Sequence, residues 1–420
     1  MTLVFGLGRS GLAVLRFLAR RGQPACFYDD SPRPEDLAAA RELGYEFCDP
    51  KEVNPQTVVA APGVPLSNPL LADLERSGAE IIGEVELAWR YTNLPLVGVT
   101  GTAGKTTTTV FTTELLKAHG INAVAAGNID PPLVAVVDEP GLQAAVVELS
   151  SFQLERIRNF RPRVAVLLNL GTDHLDRHGS LGNYHAAKLR LLTNLTAEDY
   201  LVYNTADQRV AAAVTDSPAR LLPFTPAASP RASNARAAAL AAAALVDVLG
   251  RQLNPAALEA EAGRLPPVPG RFEEIGRIGD LVLIDDSIAT RTDAVAAALK
   301  AAPAPLAWIV GGEDKGADTT PLVDLVAERV GLVLAIGRDG PRFAAAFAPH
   351  ARVVRIDEED GEAALEKAVR LALAEPQLKS LLLAPLAASF DQFANYKERS
   401  RTFRDVAARV GGERWIPSCC

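Results

Sequence analysis

The chain has 420 residues, 48% of them hydrophobic and 22% charged, so it is too long for one hydrophobic core and too apolar to be disordered. Two or three folded domains are therefore expected. The 43 basic residues against 51 acidic ones give a net charge of −8, which argues against a broad basic surface for nucleic acid or membranes. An anionic substrate would need locally placed cations.

The cysteines and the hydropathy of the chain predict a cytoplasmic protein. Cys26, Cys48, Cys419 and Cys420 suggest neither a disulfide framework nor a zinc pattern, which favours a reducing compartment. The terminal pair lacks the spacing of a prenylation signal. Neither a signal peptide nor an apolar run of about 18 to 20 residues is recognisable, so no membrane span is expected.

The first part of the chain contains a glycine-rich turn between a predicted strand and a predicted helix. Leu3–Phe5 predicts the strand, the turn runs Gly6-Leu7-Gly8-Arg9-Ser10-Gly11, and the helix continues to about Arg21. A second predicted strand, Ala25–Tyr28, ends at two aspartates, near the place where an acid binds a ribose hydroxyl. The turn alone does not select NAD, because any nucleotide diphosphate on such a fold requires the same geometry.

A second glycine-rich turn follows the predicted strand Leu96–Val99. Its sequence is Gly101-Thr102-Ala103-Gly104-Lys105-Thr106, and a helix is predicted after it. Backbone N–H groups at the start of a helix suit a polyphosphate, lysine adds a positive charge, and a threonine hydroxyl suits Mg²⁺. Val99 stands where the eight-residue P-loop pattern has its first glycine, so the stretch predicts a nucleoside-triphosphate site of variant type. A glycine-rich turn with a surface lysine is the alternative.

Two later apolar stretches predict buried parallel strands that end in polar residues. Ala144–Glu148 ends in a carboxylate that could hold Mg²⁺ with Thr106. Earlier in the chain, Thr57–Ala60 predicts a further strand of the first domain, followed by a loop. Val164–Asn169 precedes His174, Asp176 and His178, which could instead form a metallohydrolase centre. Because the chain has only 5 histidines, we regard that centre as the weaker interpretation.

The remaining chain predicts a close-packed alanine-rich helix at 237–244 and, after a proline-rich link at 266–271, a third unit. Its predicted strands are Leu281–Ile284, Leu306–Val310, Leu332–Ile336, Arg352–Ile356 and Ser380–Leu383. Regular alternation of strands and helices argues for a further parallel sheet. The expected fold class is α/β with three domains: Rossmann-like at 1–92, a central P-loop-type ATPase domain with a mostly parallel sheet at 93–273, and Rossmann-like at 274–420.

Taken in order, these motifs resemble those of the Mur ligases over nearly the whole chain. The resemblance rests on Gly101–Thr106, Gly127-Asn128-Ile129, Glu148–Leu154, Asp173–His178, Ala187-Lys188, Gly270–Glu273 and Ser389–Phe393. Glu148–Leu154 and Ser389–Phe393 are similar to the D-glutamate-adding member. The relatives that add L-alanine, a diamino acid or D-Ala-D-Ala differ there, as does folylpolyglutamate synthase.

The resemblance implies a monomeric, cytoplasmic ligase of peptidoglycan precursor synthesis, and through it a role in cell shape and cell division. ATP would phosphorylate the terminal carboxylate of UDP-N-acetylmuramoyl-L-alanine, and the amine of D-glutamate would displace the phosphate. Catalysis of such a transfer is mostly positioning and charge neutralisation. Because each domain would hold one ligand, we expect the domains to close during the reaction.

The resemblance also implies roles for individual residues. The catalytic set is Lys105, Lys188 and His174. The ATP set is Gly101, Thr102, Ala103, Gly104, Lys105, Thr106, Thr107, Asn234, Arg271 and Asp286. Two Mg²⁺ ions would be held by Thr106, Glu148, His174 and Lys188, the lysine carrying a carbamate formed with CO₂. The nucleotide-substrate set is Arg9, Ser10, Asp29, Asp30, Ser31, Gly63, Asn128, Ser150 and His174. The D-glutamate set is Thr290, Lys315, Ser389, Phe390 and Tyr396. Without the resemblance, Lys188 would be interpreted as a solvated helix lysine and Lys315 as a loop lysine.

Some positions depart from the family pattern. Ile288 replaces a lysine, for which Arg291 is a candidate substitute through its longer, forked side chain. Asp130 replaces a glycine, Gly270 a histidine, and Pro230-Arg231 a His-Asn pair. The segment 224–234 is also shorter than in the family, which bears on the central sheet and the adenine side of the ATP site.

Two alternatives stay open at this point. An NAD-dependent oxidoreductase would be explained by the first glycine-rich turn, but it leaves the second turn, Glu148 and Lys188 without a role. A non-catalytic nucleotide-binding relative would be consistent with Ile288 and the short segment.

Overall fold

The computed structural model describes residues 1–227, 229–314 and 316–418, without the side chains of Asp176 and Asp293. The chain forms two compact units, Met1–Leu265 and Pro266–Cys420. In the described part of the chain, no helix is both long enough and apolar enough to cross a bilayer. Both units are layered α/β structures, as the alternation of strands and helices predicts.

The first sheet of unit 1 is parallel, with strand order β2-β1-β3-β4. Its strands are β1 (Thr2–Phe5), β2 (Ala25–Tyr28), β3 (Thr57–Ala60) and β4 (Glu80–Ile82), and its helices are α1 (Arg9–Arg20), α2 (Pro34–Glu42), α3 (Pro69–Arg76) and α4 (Glu84–Arg90). The chain goes to one side of β1 and then returns to the other. The turn after β1 therefore lies at the switch point of the sheet, where ligands bind in such folds.

The second sheet of unit 1 is also parallel, in the order β10-β9-β8-β5-β7-β6. Its strands are β5 (Leu96–Thr100), β6 (Ala123–Gly127), β7 (Ala144–Glu148), β8 (Val164–Leu167), β9 (Tyr200–Asn204) and β10 (Arg220–Phe224). Its helices are α5 (Lys105–Ala118), α6 (Leu133–Val136), α7 (Ser151–Leu154), α8 (Leu175–His178), α9 (Leu181–Leu189), α10 (Gln208–Ala213), α11 (Pro230–Val248) and α12 (Pro255–Ala262), with a 3₁₀ helix at Arg190–Leu192. Every residue of β5 is buried, so the sheet holds the second glycine-rich turn at its centre.

The short segment 224–234 leaves this sheet intact. Strand β10 pairs with β9 along its whole length, and α11 begins at Pro230, capped by the Ser229 side chain. The alanine-rich part of α11 is buried, which its small side chains allow.

One hydrophobic core runs through both sheets of unit 1. Leu18 of α1, Leu87 of α4, Val134 of α6 and Val147 of β7 belong to the same buried cluster. Because this shared core joins the two sheets, ligand-binding loops from both are held in a fixed relation within unit 1.

Unit 2 contains one sheet in the order β15-β14-β13-β16-β12-β11-β17. Its strands are β11 (Glu273–Ile278), β12 (Leu281–Asp285), β13 (Leu306–Gly311), β14 (Val330–Ile336), β15 (Val353–Arg355), β16 (Ser380–Leu383) and β17 (Trp415–Pro417). Its helices are α13 (Thr292–Ala301), α14 (Val323–Arg329), α15 (Gly340–Phe347), α16 (Gly361–Leu373) and α17 (Tyr396–Gly411), with 3₁₀ helices at Thr320–Leu322 and Gly412–Arg414. The expectation of a wholly parallel sheet is wrong at one edge, where β11 pairs antiparallel with both β12 and β17. Only two residues join β11 to β12, a connection that permits a hairpin but no crossover.

The cysteine expectation is also wrong, because Cys26 and Cys48 form a disulfide. The neighbouring residues Phe27 and Phe47 form a parallel bridge, which brings the two cysteine Cα atoms to 6.0 Å. The separation of the two cysteines along the chain contains no sign of this pairing. Cys419 and Cys420 lie outside the described residues.

Candidate functional site

The second glycine-rich turn joins β5 to α5 and has a left-handed residue at its end. Gly104 has φ +85° and occupies the N-cap of α5. A Cβ atom built at this position would lie 2.4 Å from Oδ1 of Asn234, so only glycine fits. Asn234, predicted for the ATP set, therefore lies directly beside the turn, although it belongs to α11.

The backbone of this turn is held by Asn169, a residue that was not among the predicted site residues. Oδ1 of Asn169 accepts hydrogen bonds from the N–H groups of Thr102 and Ala103, both at 2.9 Å, and its Nδ2 donates to the Ala103 carbonyl at 3.0 Å. The Thr102 hydroxyl accepts from the Gly171 N–H at 2.8 Å. The position of Asn169 immediately after β8 was the signal available, since side chains at such strand ends build sites.

Two lysines converge on one backbone carbonyl of the turn. Nζ of Lys105 donates to the carbonyls of Gly101 and Thr102 at 3.0 and 3.1 Å. Nζ of Lys188 donates to the same Gly101 carbonyl at 2.9 Å and lies 4.6 Å from the centre of the Tyr184 ring. Lys188 is only 2% exposed, so its interpretation as a solvated helix lysine is wrong. Burial of an amine costs free energy unless the group is hydrogen-bonded or paired with a charge.

A hydroxyl, a carboxylate and an amide lie next to the lysines. The Thr106 hydroxyl donates to Oε2 of the buried Glu148, and Nδ2 of Asn128 donates to Oε1 at 2.7 Å. Both carboxylate oxygens therefore face neutral donors. A threonine hydroxyl and a carboxylate are oxygen ligands of the type that Mg²⁺ prefers, so this donor set fits the ion.

The histidines predicted beyond β8 have different environments. His174 is left-handed (φ 50°), its Nε2 lies 3.1 Å from Asp173, and its ring centre is 4.7 Å from that of Phe152. His178 is buried, with Nδ1 3.0 Å from Glu155 and Nε2 3.0 Å from the Ser151 hydroxyl, and burial lowers its pKa. Because both ring nitrogens of His178 have protein partners, the metallohydrolase alternative, which needs His178 as a ligand, is not supported. The described residues contain no cluster of three or more potential His, Cys, Asp or Glu ligands.

A cavity of about 420 Å³ lies between the first sheet and the end of β6. Its lining is Gly6, Gly8, Arg9, Ser10, Asp29, Ala61, Pro62, Gly63, Val64, Glu84, Gly127, Asn128, Pro132 and Gln153. Five members of the predicted nucleotide-substrate set line it: Arg9, Ser10, Asp29, Gly63 and Asn128. The lining residues Glu84 and Gln153 were not predicted, because neither belongs to a glycine-rich turn.

The other members of that set stand elsewhere. Asp30 accepts a hydrogen bond from the Tyr28 hydroxyl at 2.5 Å, which raises the pKa of Tyr28 to about 12. Ser31 donates its N–H to Asp29 at 2.9 Å, and Ser150 caps α7 by accepting from the Gln153 N–H. None of Asp30, Ser31, Ser150 and His174 contributes to the lining of this cavity.

Two carboxyl groups of the cavity wall are held by the protein itself. Asp29 accepts from the Leu7 N–H at 2.7 Å, in addition to Ser31. Glu84 accepts from the Val134 N–H and the Gln153 side chain, both at 3.2 Å, and burial raises its pKa to about 7. The wall is therefore partly acidic, and Arg9 is the cation among its lining residues.

Two arginines from the central part of unit 1 hold the loop after β3, residues 61–64. Arg156 donates to the carbonyls of Ala61, at 2.9 Å, and Val64. Arg177 of α8 donates to the carbonyls of residues 62, 63 and 64 at 3.1, 3.0 and 2.7 Å. Burial lowers the pKa of Arg156 to about 10. This wall of the cavity is thereby fixed to the helix that follows His174.

Unit 2 contains the remaining candidates, Arg271, Asp286, Thr290, Ser389, Phe390 and Tyr396. Asp286 is buried and accepts from the Phe272 N–H at 3.1 Å, and burial raises its pKa to about 7. Ser389 is buried whereas Phe390 is 65% exposed, and Tyr396 begins α17. Lys315 lies outside the described residues.

A buried arginine that was not predicted supports this region of unit 2. Arg399 donates to the carbonyls of Ser287 and Ala387 at 3.0 and 3.2 Å, and burial lowers its pKa to about 10. The neighbouring Asp285 accepts from the hydroxyls of Ser287 and Ser400, and burial raises its pKa. These contacts join the segments that carry Asp286 and Ser389.

Comparison with known proteins finds Mur ligases, the family that the sequence motifs resemble, along the chain. Three family models match: the Mur ligase MurD-like N-terminal domain at residues 1–83, the Mur ligase middle domain at 99–242 and the Mur ligase glutamate ligase domain at 270–385. The UDP-N-acetylmuramoylalanine–D-glutamate ligase of Thermus thermophilus is 59% identical over 418 residues, covering 100% of both chains. The Deinococcus radiodurans protein of the same name is 46% identical, covering 98% of this chain and 92% of the relative. Among solved structures, the MurF ligase from Thermotoga maritima in complex with ADP has the same fold, with a TM-score of 0.55, 16% identity and coverage of 87% and 97%.

Proposed function

The chain belongs to the Mur ligase family, and we propose that it is an ATP-dependent ligase that adds D-glutamate to UDP-N-acetylmuramoyl-L-alanine in peptidoglycan synthesis. The observation that carries this proposal is one series of contacts. Asn128 lines the nucleotide cavity and donates to Glu148, which in turn accepts from Thr106 of the phosphate-binding turn. A substrate held in the cavity can therefore extend towards the phosphate of ATP. We assign residues 1–92 to the nucleotide substrate, 93–273 to ATP and 274–420 to D-glutamate.

The reaction joins a carboxylate to an amine. A carboxylate oxygen of the substrate attacks the γ-phosphorus of ATP, and the bond from that phosphorus to the β-phosphate oxygen breaks, which releases ADP. The amine of D-glutamate then attacks the acyl carbon and loses a proton, and the carbon–oxygen bond to phosphate breaks. Phosphorylation is needed because an oxide is a poor leaving group. The protein supplies position and charge for both steps.

In the phosphate-binding turn, residues 101–107 supply backbone N–H groups and hydroxyls to the phosphates of ATP. Lys105 neutralises charge on the transferred phosphoryl group, and Asn234 lies beside the nucleotide. The Thermotoga maritima neighbour, which shares the fold, was solved in complex with ADP. Arg271 and Asp286 of unit 2 are assigned to the same nucleotide.

The fitting donor set of Thr106 and Glu148 would hold one Mg²⁺, and His174 with Lys188 would hold a second. Such ions neutralise charge on phosphate oxygens. We propose that Lys188 carries a carbamate, formed when its amine nitrogen attacks CO₂ and loses one proton. Lys188 is buried, and burial of an amine disfavours its ammonium form, which supports this modification; a metal ion bound beside it would further favour an anion.

For the nucleotide substrate we propose contacts to Arg9, Ser10, Asp29, Gly63 and Asn128, which line the cavity. Asp30, Ser31, Ser150 and His174 remain proposed contacts for the parts of the substrate that extend beyond it. For D-glutamate, with its two carboxylates, we propose Thr290, Lys315, Ser389, Phe390 and Tyr396. We further propose that the enzyme works as a cytoplasmic monomer and that cell shape and division depend on it.

Neither alternative function explains the same observations. An NAD-dependent oxidoreductase has no use for the two buried or half-buried lysines at a phosphate-binding turn, nor for Glu148 beside Thr106. A non-catalytic relative would have no need for this assembly of polar groups next to the cavity.

Phosphate release from ATP tests the proposal directly. We expect release only when D-glutamate and UDP-N-acetylmuramoyl-L-alanine are both present, with L-glutamate as the matched control for the amino acid. The product should gain one amide bond, detected by mass spectrometry. Phosphate release that ignores either substrate, or tight binding of NADH in place of ATP, contradicts the proposal.

A further inference from the structure

The positive charge at the nucleotide cavity is already paired with a negative charge of the protein. Arg9 begins α1 directly after the glycine-rich turn and lines the cavity. Its Nη1 donates to Oδ1 of Asp130 at 2.7 Å, and its Nη2 lies 3.4 Å from the Asn128 carbonyl. The Arg9 and Asp130 side chains are 55% and 54% exposed. The pair therefore joins the first sheet to the β6 loop at the solvent side of the cavity.

The other acidic groups of the cavity have different partners. Asp29 accepts from two backbone N–H groups, and Glu84 accepts from a backbone N–H and an amide side chain. Asp130 differs because its bond is to the guanidinium group. It also stands where the resemblance implies a glycine, so the carboxylate is a departure from the expected pattern.

A nucleotide diphosphate brings negative charge to the turn at which Arg9 stands. An exposed carboxylate–arginine pair contributes little free energy, whereas a guanidinium group binds phosphate through two parallel hydrogen bonds. Asp130 would repel the same phosphates. The arginine therefore has two competing anionic partners, and the exchange favours the phosphate.

We propose that Asp130 sets the affinity and specificity of the nucleotide site by competing with the substrate diphosphate for Arg9. This inference rests on the proposed function, because it requires a nucleotide diphosphate in the cavity. Binding transfers Arg9 from Asp130 to the phosphates, so the carboxylate lowers the affinity for every ligand that carries a diphosphate. Ligands without phosphate do not compete for Arg9, and Asp130 does not affect them.

The test is Asp130→Asn, which keeps the shape of the side chain and removes its charge. Dissociation constants of UDP-N-acetylmuramoyl-L-alanine, UDP and uridine are measured by calorimetry on the full chain, with a non-hydrolysable ATP analogue present. We expect the variant to bind the first two about 3- to 10-fold more tightly at low salt, with a smaller gain at high salt. Uridine affinity should not change.

The chain offers a matched control in the pair Arg21–Asp138. This pair also joins the end of α1 to the central part of unit 1, but neither residue lines the cavity. Asp138→Asn should leave all three dissociation constants unchanged. In an Arg9→Ala background, Asp130→Asn should lose most of its effect, because the competition needs the guanidinium group.

Three results would overturn the inference: unchanged or weaker diphosphate binding by Asp130→Asn, an equal gain for uridine, or an equal gain from Asp138→Asn. These results are distinguishable from failure of the proposed function. If the unmodified protein binds neither UDP-N-acetylmuramoyl-L-alanine nor UDP, the proposed function fails. If it binds them and Asp130→Asn has no effect, only the inference fails.

Discussion

The two glycine-rich turns of unit 1 have the same local design but different electrostatics. Each connects a buried strand to a helix, and each has N–H groups held by a side chain that follows another strand. In the first turn the acceptor is the carboxylate of Asp29, 2.7 Å from the Leu7 nitrogen. In the second it is the neutral amide of Asn169. Glycine spacing therefore defines the backbone of each turn, whereas residues distant in the sequence set the charge of the site.

The cations strengthen this contrast. At the second turn, the amine nitrogens of Lys105 and Lys188 both donate to the Gly101 carbonyl. At the first turn, the charge of Arg9 is offset by Asp130. The proposed function assigns the triphosphate to the second turn and a nucleotide diphosphate to the first, and a cation close to each turn suits an anionic ligand.

The largest effect is expected from Lys188→Ala, which removes a buried amine nitrogen, and any carbamate it carries, from the second turn. We expect turnover to fall by about 10²- to 10³-fold, since the change removes a group placed next to the reacting phosphate. Adding short carboxylic acids should restore part of the activity if Lys188 acts as a carbamate. Adding short alkylamines should restore it if the lysine acts as an ammonium group on Gly101.

The control for this prediction is Lys117→Ala on the exposed face of α5, where the lysine pairs with Glu114. It should keep full activity. A fully active Lys188→Ala enzyme, or rescue by amines alone, contradicts the carbamate.

Asn169→Asp would give the second turn the acceptor charge of the first. The oxygen that binds the Thr102 and Ala103 N–H groups is kept, but a negative charge is placed beside the phosphates and the donor to the Ala103 carbonyl is lost. We expect ATP to bind about tenfold more weakly or worse, because like charges at close range repel. Calorimetry with ATP measures the change.

The reciprocal variant, Asp29→Asn, is the control, since it removes the charge from the first turn and keeps an oxygen for the Leu7 N–H. It should leave ATP affinity unchanged. Equal ATP affinities of Asn169→Asp and the unmodified protein would show that acceptor charge does not distinguish the two turns.

Glu84→Gln tests the acidity of the cavity beside the first turn through the pH dependence of stability. Burial raises the pKa of Glu84 to about 7 in the folded protein, above its ordinary value of 4.5. Its favourable contribution is therefore complete below about pH 4.5 and is lost as the pH rises through 7, with an upper limit of about 3 kcal/mol. Between pH 5 and 8, the melting temperature of unit 1 should fall less in the variant than in the unmodified protein, by a few degrees.

Glutamine keeps an oxygen for the Val134 and Gln153 donors, so the variant is expected to fold. If the melting temperatures of the two proteins fall by the same amount between pH 5 and 8, the raised pKa of Glu84 is contradicted. Burial also raises the pKa of Asp286 in unit 2, so we expect Asp286→Asn to change the pH dependence of stability in the same direction.

The fold followed from the sequence wherever local patterns decide structure. Apolar runs such as Ala144–Glu148 and Ser380–Leu383 are strands with the predicted bounds, because buried parallel strands need continuous apolar residues. The antiparallel edge strand β17 was not predicted, since three residues near the end of a chain have no periodicity to interpret. The Cys26–Cys48 disulfide was not predicted either, because it depends on a β-bridge between segments that are separated in the sequence.

The residues of the candidate site also fall into those that a local motif marks and those that it does not. Lys105 and Thr106 follow from the spacing of the second turn, and Lys188 required the family resemblance to be noticed at all. Asn169, Glu84 and Arg177 act through contacts with residues far away in sequence. No motif marks such residues, because their roles depend on which loops the core brings together.

The smallest effect is expected from Arg291→Ala in unit 2, where this chain has Ile288 instead of the family lysine. Arg291 occupies the N-cap of α13, and its side chain makes no capping bond. A cation at a helix N-terminus is disfavoured by about 0.3–1 kcal/mol, so its removal relieves an unfavourable interaction with the helix dipole. We expect turnover to fall about 3- to 10-fold, with an unchanged or slightly higher melting temperature.

Ile288→Lys in the Arg291→Ala background should then restore turnover, because it returns a cation to the position the family uses. Lys300→Ala, in the last turn of the same helix, is the control and should have full activity. Full turnover in Arg291→Ala would mean that unit 2 works without a cation from this segment. In that case the charge needed for transfer comes from the second turn of unit 1, and the contrast between the two turns becomes the main electrostatic feature of the enzyme.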